Sequence, residues 1–190
     1  MTNDQSTFGG RLLIGASGSA AVAMLPMYIS GLRAQFTGTI TVLMTPTATR
    51  FLPAHTVALF ADRVVTGEPE SSWARHNQAT LAAEHDMLAV LPATANLLAA
   101  TASGAAGNML STTILAATFP VAIFPVMTGE MWEKPSVQRN VEVIKADGYR
   151  VVAPEWGKRY DVALGGFVES TVPPAPPMVV SVIRELMPAG

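Results

Sequence analysis

Residues 87–91, Met-Leu-Ala-Val-Leu, form an apolar run that stops at Pro92 and opens into Ala93-Thr94-Ala95-Asn96. A short run with no polar alternation, ended by a proline, reads as a strand buried on both faces in a parallel sheet. The small and polar residues after it supply donors and a helix start at the sheet's C-terminal edge, where open α/β sheets bind ligands. A later run at 120–124 leads in the same way into Pro125-Val126-Met127-Thr128-Gly129-Glu130-Met131-Trp132. The rest of the chain is expected to build a pocket around these two loops.

A chain of 190 residues is long enough for one domain with a proper core. Its composition, 49% hydrophobic and 14% charged, is apolar for that size and points to surface buried between subunits. No segment has the run of about 18 apolar residues that a spanning helix needs. The first residues lack the basic and apolar regions of a signal peptide, which makes the cytoplasm the expected compartment. A net charge of −2 argues against a nucleic-acid partner. The absence of cysteine excludes disulfides, thiolate metal sites and a cysteine nucleophile.

In chain order, residues 1–10 read as a loose tail and 11–14 as a short strand. Gly15-Ala16-Ser17-Gly18-Ser19 then leads into a helix over 20–32. Strand, glycine-rich turn and helix make a phosphate-binding arrangement or simply a tight turn. The spacing is not that of the dinucleotide GxGxxG. Thr39–Met44 is a second strand, followed by Thr45 as an N-cap, Pro46 in the first helical turn, and Thr47. Those threonines cap a helix and could also meet a ligand phosphate. A third strand is expected at 63–66, a polar link at 68–72, and helices at 73–84, 96–106, 107–117 and 132–146. The last of these is stopped by Asp147-Gly148. A sixth strand is expected at 149–153, a Gly- and Pro-rich loop at 155–177, and a closing helix at 178–187. Strands alternate with helices throughout, so the fold class is α/β, a single-domain doubly wound parallel sheet.

These residues resemble the homo-oligomeric flavin-containing cysteine decarboxylases, the family of the peptidyl-cysteine decarboxylases of lantibiotic- and linaridin-type peptide biosynthesis and of phosphopantothenoylcysteine decarboxylase. Pro92-Ala93-Thr94-Ala95-Asn96 resembles the family's PASANT motif. Pro125 to Trp132 resembles its PxMNxxMW motif, and Pro135, Gln138, Arg139 and Asn140 the stretch that follows it. Residues 104–112 are similar to its GxxDNLLT segment, with Gly107 in place of the acidic residue. The resemblance implies a Rossmann-like, flavodoxin-type fold, FMN as cofactor, trimers as the working unit and often dodecamers of trimers, with the flavin between subunits. It implies that Gly15, Ser17, Gly18, Ser19, Thr45 and Thr47 surround the FMN phosphate and ribityl chain. Pro92, Ala93, Thr94, Ala95 and Asn96 would line the flavin, and Met127, Gly129, Met131, Trp132 and Arg139 would face the substrate.

Two positions depart from the pattern. The family's HIxL histidine, counted back without gaps from Pro92, falls on Gln78, while His76 stands two residues earlier. On a helix two residues are about 200° apart, so His76 replaces that histidine only if the turn is irregular. His85 and His55 read as surface histidines. Thr128 takes the place of the asparagine of PxMNxxMW, with fewer hydrogen-bonding groups and shorter reach. The candidate catalytic set is therefore His76, Gln78 and Thr128.

The implied reaction is oxidation of the C-terminal cysteine of a ribosomally made precursor peptide by FMN, with loss of CO₂ to give an aminoenethiol for aminovinyl-cysteine formation. A cysteine thiol titrates near pH 8.5 and needs only modest help to lose its proton. Phosphopantothenoylcysteine decarboxylase reduces its enethiol with a cysteine of its own, which this chain lacks, so the product is expected to remain an enethiol. Residues 155–177, with Tyr160, Phe167 and Gly165-Gly166, fall where the family keeps a mobile substrate-covering clamp. Two other readings stay open. One is a non-catalytic FMN-binding scaffold or regulatory relative, favoured by Gln78 and Thr128. The other is a flavin prenyltransferase, which shares the first glycine turn but not the Pro125–Trp132 motif.

Overall fold

The computed structural model describes residues 7–67 and 74–188. Six parallel strands form one sheet: β1 (Arg11–Ala16), β2 (Thr39–Met44), β3 (Arg63–Val65), β4 (Met87–Ala93), β5 (Val121–Pro125) and β6 (Arg150–Val151). Their order is β3-β2-β1-β4-β5-β6, a Rossmann-like doubly wound sheet. The chain leaves β1 toward one edge and returns at β4 to build the other, so the C-terminal ends of β1 and β4 flank the point where the winding reverses. The helices are α1 (Leu25–Arg33), α2 (Pro46–Phe51), α3 (Ala54–Val57), α4 (Gln78–Glu84), α5 (Ala95–Ala102), α6 (Met109–Ala116), α7 (Gly129–Trp132), α8 (Pro135–Ala146) and α9 (Pro176–Leu186).

The strands look continuously apolar because both faces of the sheet are covered. Leu12, Ile14, Ile40, Val42, Met87 and Ala89 point into a core closed by α1 and α9. Leu13, Leu43, Leu88, Val90, Val121 and Ile123 point into a second core closed by α5, α6 and α8. Gly15 falls in β1 on the second face, where a Cβ would come within 2.4 Å of a Leu110 methyl. Its bare backbone lets α6 settle onto the sheet and brings the start of that helix to the C-terminal edge.

Several elements differ from the expected ones. Strand β4 runs on through Pro92 and Ala93; its register against β5 shifts between Val90 and Ala93, and a residue with no N–H is accommodated at such an irregularity. The helix expected over 20–32 is a 3₁₀ turn, Ala20–Met24, followed by α1, whose first turn contains Pro26. The helix expected from residue 73 begins at Gln78, because Asn77 and Thr80 form a capping box. Residues 68–73, including the polar link and Trp73, lie outside the described residues, as does the expected tail through residue 6. The rest of that tail is held: Phe8 bridges to Phe36 with ring centroids 5.1 Å apart. The expected helix over 132–146 is two, α7 and α8, with Pro135 opening the second.

The stretch 155–177 is not an irregular loop. It contains an antiparallel hairpin, β7 (Glu155–Asp161) and β8 (Gly166–Val172), paired over seven positions. Trp156, Tyr160 and Phe167 share one face of the hairpin and are half to three-quarters exposed, while Ser170 and Thr171, on opposite faces at its base, are both buried.

His55 is exposed as expected, but His85 is buried, with 5% of its surface accessible. It ends α4, and its ring Nδ1 lies 2.8 Å from the Leu81 carbonyl. Burial, chiefly, pushes its pKa down; Arg63 and Arg11 act in the same direction, against the Leu81 carbonyl and Glu84. The fold therefore disfavours the imidazolium, and its stability is fully present above the unfolded value near 6.5. Denaturant midpoints should fall as pH drops from about 7 to about 5, and His85→Asn should flatten that slope. Equal slopes in both proteins would show that His85 is not the responsible group.

Candidate functional site

The reversal point is tied by one hydroxyl. Ser17, 4% exposed, donates from Oγ to the Pro92 carbonyl at 2.9 Å and accepts the Thr94 N–H at 2.9 Å. The Ser17 N–H adds a third bond to the same carbonyl at 3.1 Å. Ser17 thus joins the turn after β1 to the turn after β4. Beside it, Gly18 packs against Thr47 so closely that a Cβ would stand 2.3 Å from the threonine methyl. That contact draws in the turn after β2, where Thr45 caps α2 by accepting the Ala48 N–H at 3.2 Å. Ser19 caps the 3₁₀ turn and Thr94 caps α5.

Two adjoining clefts open above these turns. One, of about 210 Å³, is lined by Ser17, Gly18, Thr45, Thr47, Thr94, Asn96 and Asn108, with Leu97 and Ala100. The other, of about 390 Å³, shares Thr45 and Asn108 with it and extends past Thr66, Gly67, Asn77, Gln78, Met109 and Thr112. Asn108 stands between them. Its Oδ1 caps α6 by accepting the Ser111 N–H at 3.0 Å, and its amide N–H groups are not used in that bond.

The arrangement suits a phosphate-bearing group. Hydroxyls and amides surround the smaller cleft, glycine keeps its floor bare, and among the described residues no carboxylate lines either cleft to repel an anion. The larger cleft adds apolar surface from Met44, Pro46, Met109 and Leu110. Neutral donors without a lysine or arginine bind a phosphate by orientation more than by charge.

The expected site residues divide into two groups. Ser17, Gly18, Thr45, Thr47, Thr94 and Asn96 meet in the smaller cleft, and Gln78 reaches the larger one. Gly15, Pro92 and Ala93 lie buried in the strands beneath; Ser19 and Ala95 stand at their edges. His76 is in the turn before α4 and lines neither cleft; its Nδ1 is buried without a hydrogen-bond partner. Met127, Thr128, Gly129, Met131, Trp132 and Arg139 line neither cleft of this single chain. Their loop nevertheless starts beside the β4 turn, where the Val126 N–H donates to the Ala93 carbonyl at 2.9 Å. Trp132 packs against the second core, Met131 is 44% exposed, and Arg139 is exposed on α8.

Sequence reasoning missed Asn77 and Asn108. Both belong to capping boxes, Asn77 with Thr80 and Asn108 with Ser111, and an N-x-x-S/T spacing just before an apolar run was the available signal.

A cleft of hydroxyls, amides and glycine at the reversal point of a Rossmann-like sheet defines a binder of a phosphorylated cofactor. The chain belongs to the Flavoprotein family, whose model matches residues 2–171. It is 37% identical over 155 residues to the mersacidin decarboxylase of Bacillus sp. (strain HIL-Y85/54728), covering 82% of this chain and 79% of the relative. Its fold is similar to that of an EpiD variant complexed with the substrate peptide DSYTC, with a TM-score of 0.84 and 27% identity over 94% of this chain and 99% of the other. It is also similar to the FMN-dependent cysteine decarboxylase SpaF, with a TM-score of 0.76 and 31% identity over 93% and 96% of the two chains. This is a flavin-binding protein.

Ser17→Ala tests the tie. It leaves the Thr94 N–H unpaired in a part-buried turn, at an expected cost of about 1–3 kcal/mol. Chemical denaturation of the two proteins measures that difference, and an unchanged midpoint would remove Ser17 from its proposed place in the architecture.

Proposed function

We propose that this protein is an FMN-dependent peptidyl-cysteine decarboxylase. Its substrate is a ribosomal precursor peptide ending in cysteine, and its product is the aminoenethiol from which an aminovinyl-cysteine ring is made. The observation that carries the reading is that both family motifs start side by side at the sheet's C-terminal edge, one beside a phosphate-compatible cleft and the other on a separate loop. The similarity to the peptide-bound EpiD variant supports it.

When bound, FMN supplies a two-electron acceptor for the cysteine side chain, which makes the loss of CO₂ easy. The protein's own part is placement. Gly18, Ser19, Thr45, Thr47 and the Asn108 amide receive the phosphate and ribityl chain. Ser17 fixes the turn, and Gly15 lets α6 approach. Pro92, Ala93, Thr94, Ala95 and Asn96 form the wall on the β4 side.

Gln78 stands in the larger cleft at the start of α4. An amide neither takes nor gives a proton near neutral pH, so Gln78 orients the substrate by hydrogen bonds. The thiol then ionises largely on its own, near its ordinary value of about 8.5. His76, two residues back in an irregular turn, is the nearest titratable alternative in sequence. On the other loop, Met127, Met131 and Trp132 present apolar surface to the peptide, Thr128 serves its carboxylate and Arg139 completes the substrate side, while Gly129, buried with its N–H bonded to Ser170 Oγ at 3.0 Å, shapes the loop and does not itself meet the peptide. That loop meets the flavin of a neighbouring subunit in a trimer, and trimers assemble further into dodecamers. The hairpin β7–β8 covers the bound peptide as a clamp. The enzyme works in the cytoplasm; among the described residues no helix is long and apolar enough to cross a membrane.

Incubating the FMN-loaded protein with Cys-ended peptides should remove the mass of one CO₂ and two hydrogens. No loss across a varied panel would favour the non-catalytic scaffold instead, for which Gln78 and Thr128 are the best arguments. Gln78→His should retain or raise turnover. His76→Ala should lower it only if His76 is the proton acceptor, and turnover unaltered in both variants would show that neither side chain is the base.

A further inference from the structure

Helix α7 starts at Thr128, yet the Thr128 side chain makes no bond that caps it. The first N–H groups of a helix have no partner within it and must find one elsewhere. For Gly129 that partner is Ser170 on β8, whose Oγ accepts the N–H at 3.0 Å. The next residue, Thr171, donates its hydroxyl to the Met127 carbonyl. Both side chains are buried, and their bonds close on the backbone at either side of Thr128. Gly129 also lies against the Trp156 ring of β7, where an added Cβ would come within 2.6 Å of it. A cap drawn from a distant strand therefore does what the loop's own residues do not.

The base of the hairpin is itself fixed. Two residues past β8, the Pro174 carbonyl accepts the Tyr28 hydroxyl at 2.7 Å. Tyr28 belongs to α1 and is buried in the first core. Ser170 and Thr171 thus sit on a strand whose end is tied to the body of the protein. The hairpin tip has no such tie, and Val162 and Leu164 there are largely exposed. Position passes from the core through Tyr28 to the hairpin base, and from the base to the loop after β5. The Val126 N–H, bonded to Ala93, fixes where that loop begins; the hairpin base fixes how it continues.

We propose that Ser170 and Thr171 are positioning residues for the decarboxylation: through the backbone of Gly129 and Met127 they set where the loop after β5 stands against the cysteine being oxidised. The inference rests on the peptide-decarboxylase reading and deepens it. Each side chain is buried and bonded to the loop, so each acts through it. Misplacement of a positioned group by about 1 Å can cost about a hundredfold in rate, so a brace remote from the flavin bears directly on turnover.

The test uses the FMN-loaded protein and two readouts. The first is hydrogen exchange of the segment 127–132 without peptide, followed by mass spectrometry. Exchange should be faster in Ser170→Ala and Thr171→Val than in the parent protein, and Thr171→Ser, which keeps the hydroxyl, should match the parent. The second is the anaerobic single-turnover rate with a Cys-ended peptide, followed by loss of the oxidised-flavin absorbance. At saturating peptide Thr171→Val should lower that rate about tenfold, the equivalent of one hydrogen bond, and Thr171→Ser should recover most of it. FMN retention and the half-saturating peptide concentration should stay near those of the parent, whereas a general loss of structure would move both. Ser170→Ala should show the same pattern and serves in place of Thr171→Val should that variant fail to fold.

Unchanged exchange in Ser170→Ala and Thr171→Val overturns the brace. A loosened loop with an unaltered single-turnover rate overturns the positioning role and leaves the decarboxylase reading intact. A parent protein whose flavin is reduced by no Cys-ended peptide sinks that reading, and the positioning role falls with it.

Discussion

The site depends on the tie that Ser17 makes between the ends of β1 and β4. β1 and β4 are paired neighbours, but the chain leaving each of them heads for an opposite half of the sheet, and their turns need a reason to stay together. Ser17 supplies three bonds to the Pro92–Thr94 backbone from a buried position. Once that distance is set, Gly18 can meet Thr47, and Asn108 can stand over both clefts. The serine that a sequence reading assigns to a phosphate is thus used inside the protein. The ligand is left to neighbours whose hydroxyls and amides are held in place by it.

How much of this was legible in the chain follows from where the determining forces are local. Parallel strands buried on both faces announce themselves as short apolar runs, so β1, β2, β4 and β5 could be read, as could Thr45 capping α2. Pro92 obscured the end of β4, because its accommodation depends on a register shift against β5 that no local pattern encodes. The hairpin was hidden by its composition. Its strands carry glycine and charge, and their alternation is meaningful only once Ser170 and Thr171 are seen to bond the loop after β5. His85 looked like a surface residue for a similar reason: its neighbours Glu84 and Asp86 are polar, but each pairs outward with an arginine, Arg63 and Arg11. The imidazole between them is left facing inward.

The two departures from the family pattern concern different elements and have different consequences. Gln78 is the first residue of a helix whose start is set by Asn77 and Thr80, so its own position is well defined. His76 cannot reach the same place by a shift of register without breaking that capping box. A cleft with no charged group among its described lining residues leaves a bound thiol near its ordinary titration range. Proton transfer then depends on the substrate's own acidity and on pH more than on a tuned side chain.

Thr128 is a different kind of change, because its loop is braced by the hairpin at three points. A shorter side chain on a mobile loop would let the loop move to recover its contacts. On a braced loop the loop stays where it is, and the shorter side chain keeps its shorter reach. The hairpin therefore has two roles that pull on different parts of it. Its base must be rigid, since Gly129 and Met127 are bonded to Ser170 and Thr171. Its outer half carries exposed Tyr160, Val162, Leu164 and Phe167, apolar surface with little packed against it. Arg159 lies at the boundary between the two, anchored by Asp161, whose other oxygen shapes the turn.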